Sequence, residues 1–151
     1  MRIFTCCLWL FLLACTKSPT ERVERYGTGA VSRRIPFKNG KMEGIVRDYY
    51  PDGQLMGERL FRNDLQHGRT TVYYPSGKVK EVQYYENGLK ERGDTLFYED
   101  GRIEFITTFE QNKKNGYLRK WSPEGQLVFE SRYAHDTLIE VKGEKIKQAS
   151  H

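Results

Sequence analysis

The chain has 151 residues, 25 Lys and Arg against 20 Asp and Glu, a formal net charge of +5 and 38% hydrophobic residues. That length holds one domain or one short repeat array and argues against a multidomain enzyme. With 14 Gly, 10 Tyr, 8 Phe and 2 Trp, the composition suits turns and strands better than helices.

In chain order, Met1-Arg2 places one positive charge ahead of an almost continuous apolar run from Ile3 to Leu13. Such a run is too short for a bilayer core, which needs roughly 20 residues, and reads as an export signal. Leu12-Leu13-Ala14-Cys15 resembles a bacterial lipobox, with Leu13 a mild departure from the usual small residue. The resemblance implies cleavage after residue 14, a diacylglyceryl thioether on Cys15 and N-acylation, for instance by palmitate. An uncleaved apolar terminus, or a conventional signal with an incidental Cys, is the bland alternative. Loss of Arg2 would take the 25 basic residues to 24 against 20 acidic, a net of +4. Cys6 and Cys7 leave with the leader and Cys15 carries lipid, so disulfides, zinc-thiolate sites and cysteine nucleophiles are not expected. Several acyl chains together anchor firmly. Thr16 is not the Asp that favours inner-membrane retention in enteric bacteria, so the expected location is the cell envelope, at the outer membrane or the cell surface. The domain reading is 1–14 signal peptide, 15–25 lipidated start and polar tether, 26–142 repeat domain and 143–151 tail.

Beyond the tether the chain repeats every 24 residues. Gly29, Gly53, Gly77, Gly101 and Gly125 keep this interval, as do Phe37, Phe61, Tyr85, Phe109 and Tyr133. Tyr49, Tyr73, Phe97 and Trp121 form a third series, and Val31, Leu55, Val79, Ile103 and Leu127 a fourth. Tyr26, Tyr50, Tyr74 and Tyr98 form a fifth, broken at Ser122. Tyr-Pro-Asp-Gly53 returns as Tyr-Pro-Ser-Gly77, Tyr-Glu-Asp-Gly101 and Ser-Pro-Glu-Gly125, each a turn with a Gly suited to positive φ. Half a unit away lie Asn39-Gly40, Asn63-Asp64, Asn87-Gly88, Gln111-Asn112 and His135-Asp136. Asn-Gly marks a type I′ hairpin turn. Two turns per unit leave two strands, so the expected fold is all-β, an antiparallel meander of hairpins in one elongated twisted sheet. About eight strands are expected. Leu55 and Phe61, an even number apart, are expected on one face, and the ladder at 49, 73, 97 and 121 is expected in the core.

Gly44, Gly68 and Gly116, followed by aromatic pairs and Pro-x-Gly turns, resemble the bacterial variant of the MORN repeat, in particular the YwqK-like group labelled antitoxin-like. Phe37-Lys-Asn-Gly40-Lys-Met-Glu-Gly44, Phe61-Arg-Asn-Asp-Leu-Gln-His-Gly68 and Tyr85-Glu-Asn-Gly88 carry it, over about residues 26–142. The third unit departs, with Arg92 where Gly is expected, so a local bulge is expected there. The half units at either end would be caps, their charges (Arg33-Arg34 and residues 142–145) discouraging edge pairing.

No catalytic, cofactor or metal set is expected. His67 and His135 lie in or beside turns and His151 ends the chain; Ser76, Ser122, Asp52 and Asp100 read as turn residues. Basic clusters at Arg33-Arg34, Lys113-Lys114 and Lys142–Lys147 leave weak anionic-lipid contact open; nucleic acid is not expected. Tyr50, Tyr74 and Tyr98 are expected to form an exposed stripe that binds a protein partner. The functional expectation is a non-enzymatic, lipid-anchored repeat protein; the family label implies an antitoxin-like alternative.

Overall fold

The computed structural model describes residues 19–142 and the backbone of Glu144–Lys145. The expected signal peptide, Cys15 and the rest of the expected tail lie outside the described residues. Thirteen strands and no helix are found among those described: β1 Thr20–Arg25, β2 Val31–Lys38, β3 Lys41–Met42, β4 Gly44–Tyr49, β5 Leu55–Arg62, β6 Leu65–Tyr73, β7 Val79–Glu86, β8 Leu89–Phe97, β9 Ile103–Glu110, β10 Lys113–Trp121, β11 Leu127–Ala134, β12 Thr137–Val141 and β13 Glu144–Lys145. They form one open antiparallel sheet in sequence order, with the short β3 pairing β2 beside β4. The meander of hairpins is therefore present, with more strands than the eight expected.

Both extra ends come from segments whose composition reads as solvated. Thr20–Arg25, expected in the tether, pairs along β2, and Glu144–Lys145, expected in the tail, pairs β12. An open sheet edge is a row of unmet N–H and C=O groups, and covering it outweighs local polarity. It follows that Arg33-Arg34 do not guard an edge. They sit in β2, inside the sheet, where Arg33 meets Asp48 and Arg34 meets Glu21 at 2.7 Å.

The turns at the Asn-Gly end are all of the kind predicted. Both central residues have positive φ in each: Asn39 and Gly40 at 53° and 80°, Asn63 and Asp64 at 48° and 69°, His135 and Asp136 at 46° and 69°. This geometry explains His135 as a turn residue. Each turn is also tied to the one before. Asp64 donates its N–H to the Met42 carbonyl at 3.1 Å and accepts the Met42 N–H on its carboxylate at 2.7 Å. Asn112 with Lys90, and Asp136 with Lys114, repeat the arrangement.

The register shifts in every unit near the opposite end, between Asp48 and Tyr49, Val72 and Tyr73, Leu96 and Phe97, and Lys120 and Trp121. Cross-strand partners share a face and successive residues alternate. Asp48 is opposite Gly57 while Tyr49 is opposite Leu55, so one extra residue puts Leu55 on the face away from Gly57, Arg59 and Phe61. This corrects the expectation that Leu55 and Phe61 share a face: a bulge reverses the parity that counting assumes. Two ladders result. Phe37, Phe61, Tyr85, Phe109 and Tyr133 lie on the face that carries Asp48 and Gly57 (the front), and the pairs Tyr49–Leu55, Tyr73–Val79, Phe97–Ile103 and Trp121–Leu127 on the back.

Neither ladder is a closed core. Its rings are half-buried, which corrects the expectation for residues 49, 73, 97 and 121. Among the described residues only Ile35, Val46, Val82 and Leu118 are buried apolar residues, beside buried Asp48, Thr70, Thr71, Asp94, Thr107 and Ser131. A one-layer sheet has no second layer to cover it, so burial comes from adjoining strands. Most of these buried side chains are on the front.

A second shift accompanies the Gly44 series, whose φ values are 113° at Gly44, 73° at Gly68 and 108° at Gly116. Arg92 keeps the same conformation at 62°. The irregularity expected in the third unit is thus the rule in all of them, and the hairpin survives because Arg92 accepts a backbone that disfavours a Cβ. Arg92→Gly is expected to stabilise the protein by about 0.5–1 kcal/mol in denaturant unfolding.

Candidate functional site

The tyrosines proposed as a partner stripe have another use. Tyr50, Tyr74 and Tyr98 are half-buried, and each hydroxyl donates to a main-chain carbonyl one unit on: Tyr50 to Tyr73 at 2.7 Å, Tyr74 to Phe97 at 2.7 Å and Tyr98 to Trp121 at 2.8 Å. Tyr26 does the same to Tyr49 at 2.6 Å. Burial raises the Tyr74 and Tyr98 hydroxyls above the usual tyrosine range, with Glu104 adding to it, so they remain donors at neutral pH. These rings are staples between hairpins rather than a free surface. The 24-residue period signalled that they were special; a hydroxyl's acceptor is set by tertiary spacing, which periodicity does not report.

A different site lies on the front. Direct cross-strand pairing runs unbroken through Arg33, Asp48, Gly57, Val72, Glu81, Leu96, Phe105, Lys120 and Phe129. At the repeat-equivalent places 33, 57, 81, 105 and 129 the residues are Arg, Gly, Glu, Phe and Phe. Gly57 alone has no side chain, and a groove of about 390 Å³ opens there, lined among others by Arg33, Asp48, Arg59, Gln83 and Tyr85. The left-handed region does not explain this glycine, whose φ is not positive; a Cβ here would stand 3.2 Å from the Thr71 carbonyl oxygen, a tight contact.

The groove is electrostatically ordered. Asp48, 6% exposed, accepts from the Arg33 guanidinium on one carboxylate oxygen and from Arg59 at 2.5 Å on the other. The hydrogen bond to Asp48 raises the Arg33 pKa further above its ordinary value. One buried acid between two cations is well compensated, and both guanidiniums are held in place. Next along the sheet, Gln83 donates its amide to Glu81 and accepts the Tyr85 hydroxyl at 3.0 Å. Glu81 is held above the usual carboxylate range, first by burial and then by repulsion from Asp94, while Lys90 neutralises Asp94 at 2.5 Å.

No nucleophile-base pair is assembled in this groove, and among the described residues no three of His, Cys, Asp and Glu gather at metal-binding distance. His67 rests against Arg62 at 3.2 Å and His135 against Glu110 at 3.6 Å, both away from it. Of the basic clusters, Arg33 and Arg34 face carboxylates, and Lys114 lies 5.1 Å from the Tyr133 ring centroid.

A protein-family model described as the MORN repeat variant matches residues 42–63 and 66–87. The two spans begin 24 residues apart and cover consecutive hairpin units. No curated protein matches the chain. The molecule is a β-repeat protein in which two consecutive units are similar to the MORN repeat variant; Gly57 falls within the first matched span, and the groove is lined from both spans and from Arg33 ahead of them.

Two outcomes follow. Removing one staple hydroxyl in Tyr74→Phe leaves the ring and is expected to cost about 0.5–1.5 kcal/mol, read by thermal or denaturant unfolding. For Glu81, the folded pKa lies above the unfolded one, so the folded state binds the proton more tightly. Its contribution is favourable at low pH and is lost as pH rises through the folded value. Glu81→Gln should therefore gain more stability at pH 7 than at pH 4 when the two proteins are compared.

Proposed function

We propose that this is a non-enzymatic scaffold of the bacterial envelope, anchored by lipid on Cys15, whose front face receives a protein partner at the Gly57 groove. The groove itself carries the reading: the repeat supplies a bulky or charged side chain at the equivalent positions, and the chain omits it at one place, beside two positioned arginines. A concave site with a few fixed polar groups is the usual form of a binding site. The apolar leader ending in Leu-Leu-Ala-Cys15 supports the anchor, and the polarity of residues 16–19 suits a short spacer between membrane and sheet.

Filling the gap tests the partner. When the full-length protein is crosslinked in bacterial envelopes, Gly57→Phe, which installs the residue found at positions 105 and 129, should lower the yield of any crosslinked partner by about tenfold while the sheet's circular dichroism is retained; equal yield sinks the site. The anchor is checked separately. The full-length protein should take up a palmitate analogue and fractionate with membranes, and Cys15→Ala should lose both. Labelling that persists in this variant rejects lipidation at Cys15.

A further inference from the structure

We infer that the Gly57 groove is a receptor for a carboxylate, borne by an acidic side chain or by a chain's C-terminus; this rests on the groove being the docking site. The formal charges that line it are Arg33, Asp48 and Arg59. Glu24, outside the lining, also stands 3.8 Å from Arg33, so the groove's preference comes from its spare donors rather than from net charge, and both oxygens of Asp48 are already engaged. Asp48 therefore acts as a strut. It fixes the arginines and offers little to an incoming donor, so the groove selects acceptors rather than cations.

The remaining capacity is of the right kind. A guanidinium has five N–H donors in a planar fork matched to carboxylate geometry. Arg59 commits one nitrogen to Asp48, and its side chain is 31% exposed. The Gln83 amide, oriented by Glu81 and the Tyr85 hydroxyl, has a second N–H to give. Met56 and Val72 provide apolar wall nearby, which fits the methylenes or backbone that carry a carboxylate better than it fits a bare, highly hydrated ion. Gly57 lies directly opposite Asp48 and leaves the approach clear.

The test uses the full-length chain in non-ionic detergent micelles, followed by ¹H–¹⁵N NMR. The probes are N-acetyl-glutamate α-amide for a side-chain acid, N-acetyl-alanine for a chain end, N-acetyl-glutamine amide as the neutral isostere, and inorganic phosphate. At least one acid should shift the Gly57 amide and the Arg59 Nε–H; which acid does so separates the two sources. The isostere and phosphate should bind at least about tenfold more weakly. Arg59→Gln should weaken the acid by about tenfold or more. Gly57→Leu should abolish the response with every charge retained; because a Cβ there crowds the Thr71 carbonyl oxygen, the loss is assigned to the groove where the variant keeps the parent's circular dichroism and its amide shifts away from residues 48–72. Equal binding of the isostere or phosphate, shifts elsewhere, or full binding by Gly57→Leu overturns the inference. Loss of partner capture in Gly57→Phe without any carboxylate response overturns this inference alone. A carboxylate response with capture unaffected overturns the docking reading alone.

Discussion

The structure depends on each hairpin finding its neighbour at a fixed spacing, because a single layer of sheet has no other partner for its side chains. Four apolar residues are buried among those described, far fewer than a two-layer domain of this size encloses. Stability is therefore spread over contacts between units: half-buried rings, backbone pairing along each strand, and the ties at both ends of the strands. At one end, type I′ turns bond to one another. At the other, tyrosine hydroxyls reach the main chain of the following unit. This is the nearly one-dimensional cohesion of a repeat array, in which each unit contacts only its neighbours.

The same spacing creates the groove. A repeat imposes equivalent positions, so a departure at one unit is surrounded by intact geometry on both sides. Gly57 is such a departure, and its strands remain aligned because the bulge beside it and the turns at either end recur in the other units and set the same register. Asp48, in the neighbouring strand, gathers Arg33 and Arg59 from either side. Three strands supply this one network, which is why the feature has no signature in any single hairpin.

Burial of charge and absence of a thick core are connected. On the front face next to the groove, burial first and then the neighbouring Asp94 raise the Glu81 pKa, and Lys90 holds Asp94. Such groups persist in a thin sheet because half-exposed arginines and lysines reach over them while keeping contact with water.

The 24-residue period, the punctuation by Pro-x-Gly and Asn-Gly, and the alternation between them determined the hairpins, their antiparallel order and the left-handed turns, since these follow from local backbone sterics. Arg92 in place of Gly was legible as an irregularity for the same reason. Tertiary structure alone decided which face each residue occupies, because a single extra residue in a bulge inverts parity without altering the period. It also decided that Thr20–Arg25 joins the sheet, that Tyr50, Tyr74 and Tyr98 spend their hydroxyls on the next unit, and that residues 33, 48, 57 and 59 meet. Those outcomes depend on distances across strands, which a linear order of residues does not contain.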